Sequence, residues 1–384
     1  MQGHATIIGA GIAGLATAIA LRRTGWTVTI RERALAISAG GNALGMWPAA
    51  MTALDALDLG GDRVRAHAVY AAGERILTPE GALQSHIPPS RHVYLISRRR
   101  LLEVLYDAVP PEGLIAWGTP LRPGEDLPPG DIIVGADGIH SVVRERHWGT
   151  TTERSLGTVA LRGDISGGEV SGVTETWGGR GGAMFGGHAD QRPTDQLVRL
   201  CSPRCAYCYR GGRRRCGPAR AFRNLASCGL GGGAPDHRPG RGCPRPVRCA
   251  PPCSYAKGRV VLIGDAAHAM APDLGRGACE ALVDALTLAE QLSGADTPAP
   301  ALRQFDHLRR HRTQRYVAIS RMLNRLSTGT RGDPRPHGTA RAAAQRGIGC
   351  PADRARPKLT VDRPGGKSPP RATAGPSSPT YDAA

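Results

Sequence analysis

The chain has 384 residues, with 50 Lys and Arg against 32 Asp and Glu and a formal net charge of +18, enough length for two domains or one large two-lobed body. The charge is local. Residues 186–253 hold 13 Arg and 3 Asp, residues 328–384 hold 10 basic and 4 acidic groups, and the other 259 residues carry 27 basic against 25 acidic groups. Most of the chain is therefore near-neutral and globular in character, and no run of about 20 apolar residues is present to span a bilayer.

In chain order, residues 5–33 ("ATIIGAGIAGLATAIALRRTGWTVTIRER") read as strand, tight turn, helix and strand. Ile7 and Ile8 end the first strand, Leu15, Ile19 and Ala20 recur at helical spacing, and Val28 to Ile30 form the second strand. The apolar start lacks a basic leader and carries three glycines at fixed offsets, so it reads as structure rather than as a signal segment. Residues 40–60 read as a loop followed by a helix, and 64–96 as short strand-like runs broken by Gly and Pro. A helix is predicted from about Arg99 to Ala108, and "DIIVGADG" is an apolar strand ending in a turn. Residues 156–185 alternate like strands. "SYAKGRVVLIGDAAHAM" gives another strand and a Gly-Asp turn, followed by a helix near Gly277–Leu292. A long helix over 301–326 is expected to bury Leu302, Phe305, Leu308, Tyr316, Ile319, Leu323 and Leu326 on one stripe.

The first chemical motif is G-x-G-x-x-G at Gly9, Gly11 and Gly14. Gly9 permits the tight turn, Gly11 lets the backbone approach a pyrophosphate, and Gly14 allows close helix–strand packing, so that a diphosphate sits on the helix N-terminus. Glu32, at the end of the second strand, is placed to bind ribose hydroxyls. Two further segments are "DIIVGADGIHSVVR" and "GRVVLIGDAAHAMAPDLGRGACEALVDALTLAEQL". Together the three resemble the FAD-dependent aromatic hydroxylases of the p-hydroxybenzoate hydroxylase type. Asp137–Gly138 and Gly264–Asp265 match that family's two internal fingerprints, and "GGNALGMWPAAMTALDALDLG" and "ISRRRLLEVL" are similar to its intervening segments. The resemblance covers about residues 3–186 and 253–327.

That resemblance implies an α/β fold, a Rossmann-like FAD-binding domain with a discontinuous mixed-sheet substrate domain. The FAD domain would comprise 1–60, 98–150 and 254–290, the substrate domain 61–97 and 151–185, and 301–327 a C-terminal helix packed on the body. It implies cofactor-binding roles for Gly9, Gly11, Gly14, Glu32, Arg98, Asp137, Gly138, Gly264, Asp265, Pro272, Gly275 and Gly277. Arg98 would approach the diphosphate, Asp137 would sit beside it, and Asp265 would accept a hydrogen bond from a ribityl hydroxyl. The loop Pro272–Gly277 would pass along the isoalloxazine edge, with the following helix N-terminus stabilising the anionic reduced ring. The implied reaction uses NADPH or NADH as co-substrate. O2 adds at flavin C4a, and the hydroperoxide passes OH to an aromatic or polyketide-like substrate. No metal is called for, and the setting implied is cytoplasmic, without membrane or nucleic-acid partners. Taken alone, Asp137 and Asp265 read as ordinary turn or N-cap residues rather than functional ones, His268 as packing, and Trp47 and Trp177 as core or pocket lining.

Residues 186–253 break the pattern. Only nine of these 68 side chains are Val, Ile, Leu, Met, Phe, Trp or Tyr, and neither period 2 nor period 3.6 is found, so the segment reads as low in order. It holds eight of the ten cysteines, including C-x3-C-x2-C at Cys201, Cys205 and Cys208, which resembles the cluster motif of radical SAM enzymes. No repeating βα units follow it. A zinc set completed by Cys216, His237 or Cys243 matches no common module. "RGGRRRCG" has the composition of an RNA-backbone binder. Arg, Gly, Pro, Ala and Cys are also what GC-rich codons spell out of frame, and the Arg-rich tail 328–384, which reads as disordered, has the same texture. On that reading the cysteine triplet is coincidental. An inactive FAD-binding remnant and a metal- or RNA-binding chimera working through 199–249 are the alternatives to an active hydroxylase.

Overall fold

The computed structural model describes residues 3–37, 43–71, 74–77, 82–87, 93–109, 114–149, 153–156, 159–166, 173–179, 183–188, 194–201, 247–249 and 251–328. The strands Ala256–Lys257, Val260–Leu262, Ile132–Gly135, His4–Ile8, Thr27–Arg31 and Ile115–Ala116 lie side by side in that order. All pair in parallel except the edge hairpin that Ala256–Lys257 forms with Val260–Leu262. Ile7 is in register with Ile30 on one side and Val134 on the other. All four residues of Ile132–Gly135 are buried, as are the last four of His4–Ile8. Continuous apolar runs of this kind suit a parallel sheet covered on both faces.

Seven α-helices accompany the strands among the described residues. They are α1 (Ile12–Arg23), α2 (Pro48–Ala56), α3 (Arg98–Asp107), α4 (Val142–Trp148), α5 (Asp265–His268), α6 (Gly277–Ser293) and α7 (Pro298–Thr328). Helix α1 buries ten of its twelve residues. Its alternating Ala and Ile side chains let it lie between the sheet and α6, where Leu282, Ala285 and Leu288 are buried in turn.

A second six-stranded sheet runs Val159–Ser166, Thr194–Cys201, Ala183–His188, Val173–Gly179, Glu74–Leu77, Leu83–Ile87. It is mixed, because Val173–Gly179 pairs in parallel with Glu74–Leu77 while the other neighbours are antiparallel. A three-stranded antiparallel sheet joins Ala43–Met46, Val93–Ser97 and Val69–Ala71. No described helix is long and apolar enough to cross a membrane.

Three readings from the sequence change. Ala43–Met46, read as loop, is a strand, because Val93–Ser97 offers it an antiparallel ladder. Thr194–Cys201 and Val247–Cys249 are strands inside the 186–253 stretch read as patternless. Thr194–Cys201 is bonded on both sides, to Val159–Ser166 and Ala183–His188. Ladder bonds with two neighbours thus order a backbone whose own composition carries little signal. Cys201 ends that strand; Cys205, Cys208, Cys216, His237, Cys243 and the tail from 329 lie outside the described residues.

The third change is on α7. Leu302 and Phe305 are buried as expected, but Leu308 (43%), Ile319 (41%) and Leu326 (63%) are exposed. Beyond Phe305 the inward face is instead Arg309, Thr313, Val317, Ser320 and Asn324. The polar groups face inward because each finds a partner there: Arg309 on Asp284 and Glu280, Thr313 on the Tyr255 hydroxyl, Asn324 on Asp273.

Candidate functional site

The glycine turn sits at the C-terminal edge of His4–Ile8, where the strand feeds α1. Gly9 has φ +106°, and a Cβ there would stand 2.5 Å from the Ala136 carbonyl oxygen; a Cβ on Gly14 would stand 1.9 Å from the Gly9 carbonyl oxygen. Both atoms struck are backbone, so no side-chain movement relieves the clash. Gly11 differs. It is the N-cap of α1 without a capping side chain, and a Cβ there would meet nothing within 4 Å. The space beside Gly11 at the start of α1 is therefore open. Glu32 closes the turn from the side, its Oε2 accepting the Ala10 N–H at 2.6 Å and its Oε1 the Ala34 N–H at 2.8 Å. Each oxygen keeps lone-pair capacity for a further donor.

The two acidic loops meet at this turn. Gly9 packs against Asp137, whose Cα lies 3.1 Å from the Gly9 Cβ position. Asp137 Oδ2 accepts the amides of Val142 (2.8 Å) and Val143 (3.2 Å) at the start of α4. The N-cap of α4 is Ser141, whose hydroxyl accepts the Arg144 amide, so Asp137 is not itself the N-cap but braces the same helix start with one of its oxygens. The other, Oδ1, is buried without a hydrogen-bond partner. Burial pushes the Asp137 carboxyl above its ordinary value, against the Ser141 hydroxyl and the backbone amides that favour the ionised form. Gly138 follows at φ +80°. Gly264, at φ +56°, places its Cβ position 2.9 Å from Ala13 of α1, so the second loop is pressed against the glycine-turn helix. Asp265 is exposed as the first residue of α5, with Oδ1 3.8 Å from the Gly277 Cβ position. Arg144, buried on α4, ties the loops together by donating to the carbonyls of Ile139 and Ala266.

The loop from Pro272 to Gly277 completes the surface. Pro272–Leu274 form one 3-10 turn that ends at Gly275 in the left-handed region. The Gly275 Cβ position lies 3.9 Å from Trp47 Nε1. The Arg276 guanidinium lies over Tyr316 at 4.4 Å and over Trp47 at 5.5 Å. Cys279 donates its S–H to the Gly45 carbonyl at 3.0 Å, and burial pushes its thiol up to about 12, so it is an inert core thiol. Arg98 is the exposed first residue of α3, reached through Val93–Ser97, the strand paired with Ala43–Met46. Trp177 lies on Val173–Gly179, and its side chain is outside the description.

Behind this surface runs a seam that sequence reading did not find. His268 Nε2 is 2.6 Å from Asp284 Oδ2, which also accepts the Gly264 N–H at 2.9 Å. Asp284 Oδ1 accepts Arg309 Nε at 2.7 Å. Arg309 Nη2 donates to Glu280 Oε2 at 2.7 Å, and Glu280 Oε1 accepts from Arg276 Nη2 at 3.0 Å. Burial opposes ionisation of Asp284, but His268 and Arg309 overcome it and hold the carboxyl at about 2. Burial likewise opposes charging His268, and the Asp284 carboxylate outweighs it, raising the imidazole above its usual value. The available signal was three charged residues, Arg276, Glu280 and Asp284, at four-residue spacing from the N-cap of α6 into its largely apolar first half.

A groove of about 420 Å3 lined by Ile19, Arg22, Leu57, Arg63 and Val109 lies at the opposite, C-terminal end of α1, away from this chemistry. The front of the turn suits an extended ligand with an anionic centre and hydroxyl-bearing flanks: a helix start that favours the anion, and carboxylates at the strand end and on the two loops that accept hydrogen bonds from hydroxyls. Such an arrangement fits the diphosphate and sugar hydroxyls of a dinucleotide.

A family model described as FAD binding domain matches residues 249–320. The chain is 31% identical to the aurachin C monooxygenase/isomerase of Stigmatella aurantiaca over 83% of its own length and 88% of that relative. It is 30% identical to the 3-amino-4-hydroxybenzoate 2-monooxygenase PtmB3 of Streptomyces platensis, over 82% and 86%. Among solved structures, HpxO of Klebsiella pneumoniae complexed with FAD (the R204Q form) superposes with a TM-score of 0.72 at 21% identity, covering 85% of this chain and 91% of that one.

Proposed function

Since the chain belongs to the FAD-dependent aromatic hydroxylases and monooxygenases, we propose that it hydroxylates a small aromatic, quinolone-like or polyketide-like ring with NAD(P)H and O2, its FAD held by the glycine turn and the two acidic loops. The observation that carries the reading is the convergence of Gly9, Gly14, Asp137 and Gly264 on one open helix start. The FAD held there would supply hydride acceptance from the nicotinamide and activation of O2 for the transfer of one oxygen atom to the ring.

The chain's own residues bind and orient. The first amides of α1 take the diphosphate, with Gly11 giving the backbone its close approach. Glu32 fixes the adenosine ribose, Arg98 meets the diphosphate from the outer side, and Asp137 stands beside it. Asp265 accepts a ribityl hydroxyl. The Pro272–Gly277 loop and the start of α6 present a positive dipole end to the ring that gains charge. Trp47 and Arg276 wall off that edge from water. The work is positioning and electrostatics, and no protein nucleophile takes part. We place the reaction in the cytoplasm.

The names of two relatives, an aurachin and an aminohydroxybenzoate enzyme, direct the choice of test compounds. Purified chain loaded with FAD is mixed with NADH or NADPH and with hydroxybenzoates or 4-quinolones under 18O2. Substrate-dependent O2 uptake with one labelled oxygen in the product supports the reading. Nicotinamide oxidation that ends wholly in hydrogen peroxide with every ring tried would make the chain a flavin-binding remnant instead.

A further inference from the structure

We propose that Arg309, on the C-terminal helix, is a positioning residue for the cofactor, acting through Asp284 and Glu280 on the two segments that face it. The proposal rests on the FAD reading above. Asp284 is the hub. One oxygen fastens the Gly264 amide and the His268 ring, and the other is held by Arg309. Gly264 precedes Asp265, so the backbone of the Gly-Asp turn is pinned by a carboxylate whose charge Arg309 balances. The same guanidinium holds Glu280, and Glu280 holds Arg276, the N-cap of α6 and the last loop residue before Gly277. Farther along α7, Asn324 donates to the Asp273 carboxylate at 3.0 Å. Both cofactor-facing segments are thus tied from behind to one helix.

Stability alone does not explain this construction. A buried ion pair replaced by well-packed apolar residues is often as stable or more so, whereas removing one partner strands a charge at large cost. Helix α7 carries apolar side chains suited to packing, yet Leu308, Ile319 and Leu326 face outward while Arg309 (3% exposed) faces in. Arg309, Asp284, Glu280 and Arg276 carry two charges of each sign, a balanced set that holds a backbone turn in one place. Gly264 also lies against the glycine-turn helix, its Cβ position 2.9 Å from Ala13, so a shift of the Gly-Asp turn is felt directly at the start of α1. Loss of the Arg309 fork releases Asp284 and Glu280 together and lets the Gly-Asp turn and the start of α6 shift.

The test uses the full chain with Arg309→Met, Arg309→Lys and Glu280→Gln, and Leu308→Ala on the outward face as control. The readouts are FAD affinity, the absorption spectrum of the bound flavin, and the melting temperature without cofactor. Arg309→Met is expected to weaken FAD binding at least about tenfold and to alter the flavin spectrum. Arg309→Lys should recover part of both, and Leu308→Ala should change neither. If Arg309→Met does not fold, Glu280→Gln, which keeps the shape of the seam, should still weaken FAD binding. Folded variants that melt earlier yet bind FAD with unchanged affinity and spectrum would overturn the proposal. An unaltered chain that takes up no FAD would overturn the parent reading, and this one with it.

Discussion

The front of the site, from His4–Ile8 through Gly9–Gly14 to Glu32, is held by close backbone approaches, of Gly14 to Gly9 and of Gly9 to Ala136, and by the Glu32 carboxylate on the Ala10 and Ala34 amides. Its back, where α6 meets α7, is held by ion pairs between side chains 25 and 29 positions apart. The front works by leaving atoms out: a Cβ on Gly9 or Gly14 would strike backbone. The back works by adding charge to an interior that apolar residues could fill. Absence of a side chain constrains the local chain directly, so it shows in the sequence. A buried charge has meaning only through a partner elsewhere in the fold.

Substitutions at the front and at the back should behave differently. The largest effect is expected at the front. Gly14→Val places its Cβ inside the Gly9 carbonyl contact, and no folded, FAD-binding protein should be recovered on purification. A soluble variant with native circular dichroism would show that the helix–strand approach is looser than described.

The back should respond more gradually. Asp284→Ala leaves the buried His268 without its carboxylate and Arg309 with Glu280 alone, and should cost about 3–5 kcal/mol in unfolding free energy, measured by urea melts of the cofactor-free chain. Asp284→Leu combined with Arg309→Met should recover much of that loss, and a strictly additive double variant would contradict a coupled seam.

The seam also sets a pH window. Asp284 is held at about 2 against 3.8 for a free carboxyl, so its stabilisation is present above pH 3.8 and is lost as pH falls toward 2. His268 is shifted the other way, upward from 6.5. Its contribution is full below pH 6.5 and is lost as pH rises through the folded value. Stability of the cofactor-free chain should therefore be greatest between about pH 4 and 6.5, with both slopes shallower in Asp284→Asn.

Legibility follows the same division. The order of elements from His4 to Arg31, the strand before Asp137, the Gly-Asp turn and α6 could be read because glycine spacing and apolar periodicity act over a few residues. The inward face of α7 was misread: a stripe through Leu308, Ile319 and Leu326 is the natural choice when hydrophobicity alone is counted. Arg309 has no local mark that sets it apart from the neighbouring arginines of "LRRHRTQR". Thr194–Cys201 was missed for a related reason, since its order comes from the strands on either side. Asp137 was ambiguous for a different reason, because one oxygen braces the start of α4 while the other is buried without a partner.

Two smaller tests follow from that ambiguity and from the surface. Asp137→Asn keeps an acceptor for the α4 amides and removes a buried charge, so the cofactor-free chain should melt at the same or a higher temperature while FAD binds more weakly. A lower melting temperature would mean that the ionised carboxyl stabilises the fold. Glu103→Gln breaks the exposed pairs with Arg99 and Arg100 and should change stability by no more than roughly 0.5 kcal/mol; a larger loss would extend the importance of ion pairs to the surface.

The most direct test of the account is a titration of the purified chain and of Gly11→Ala with FAD, followed by flavin fluorescence. A Cβ at Gly11 enters open space, so the variant should melt as the unaltered chain does. The unaltered chain should take up one FAD, and Gly11→Ala should bind it at least about tenfold more weakly. Equal affinity in both, or no uptake by the unaltered chain, would contradict a cofactor seated on the glycine turn.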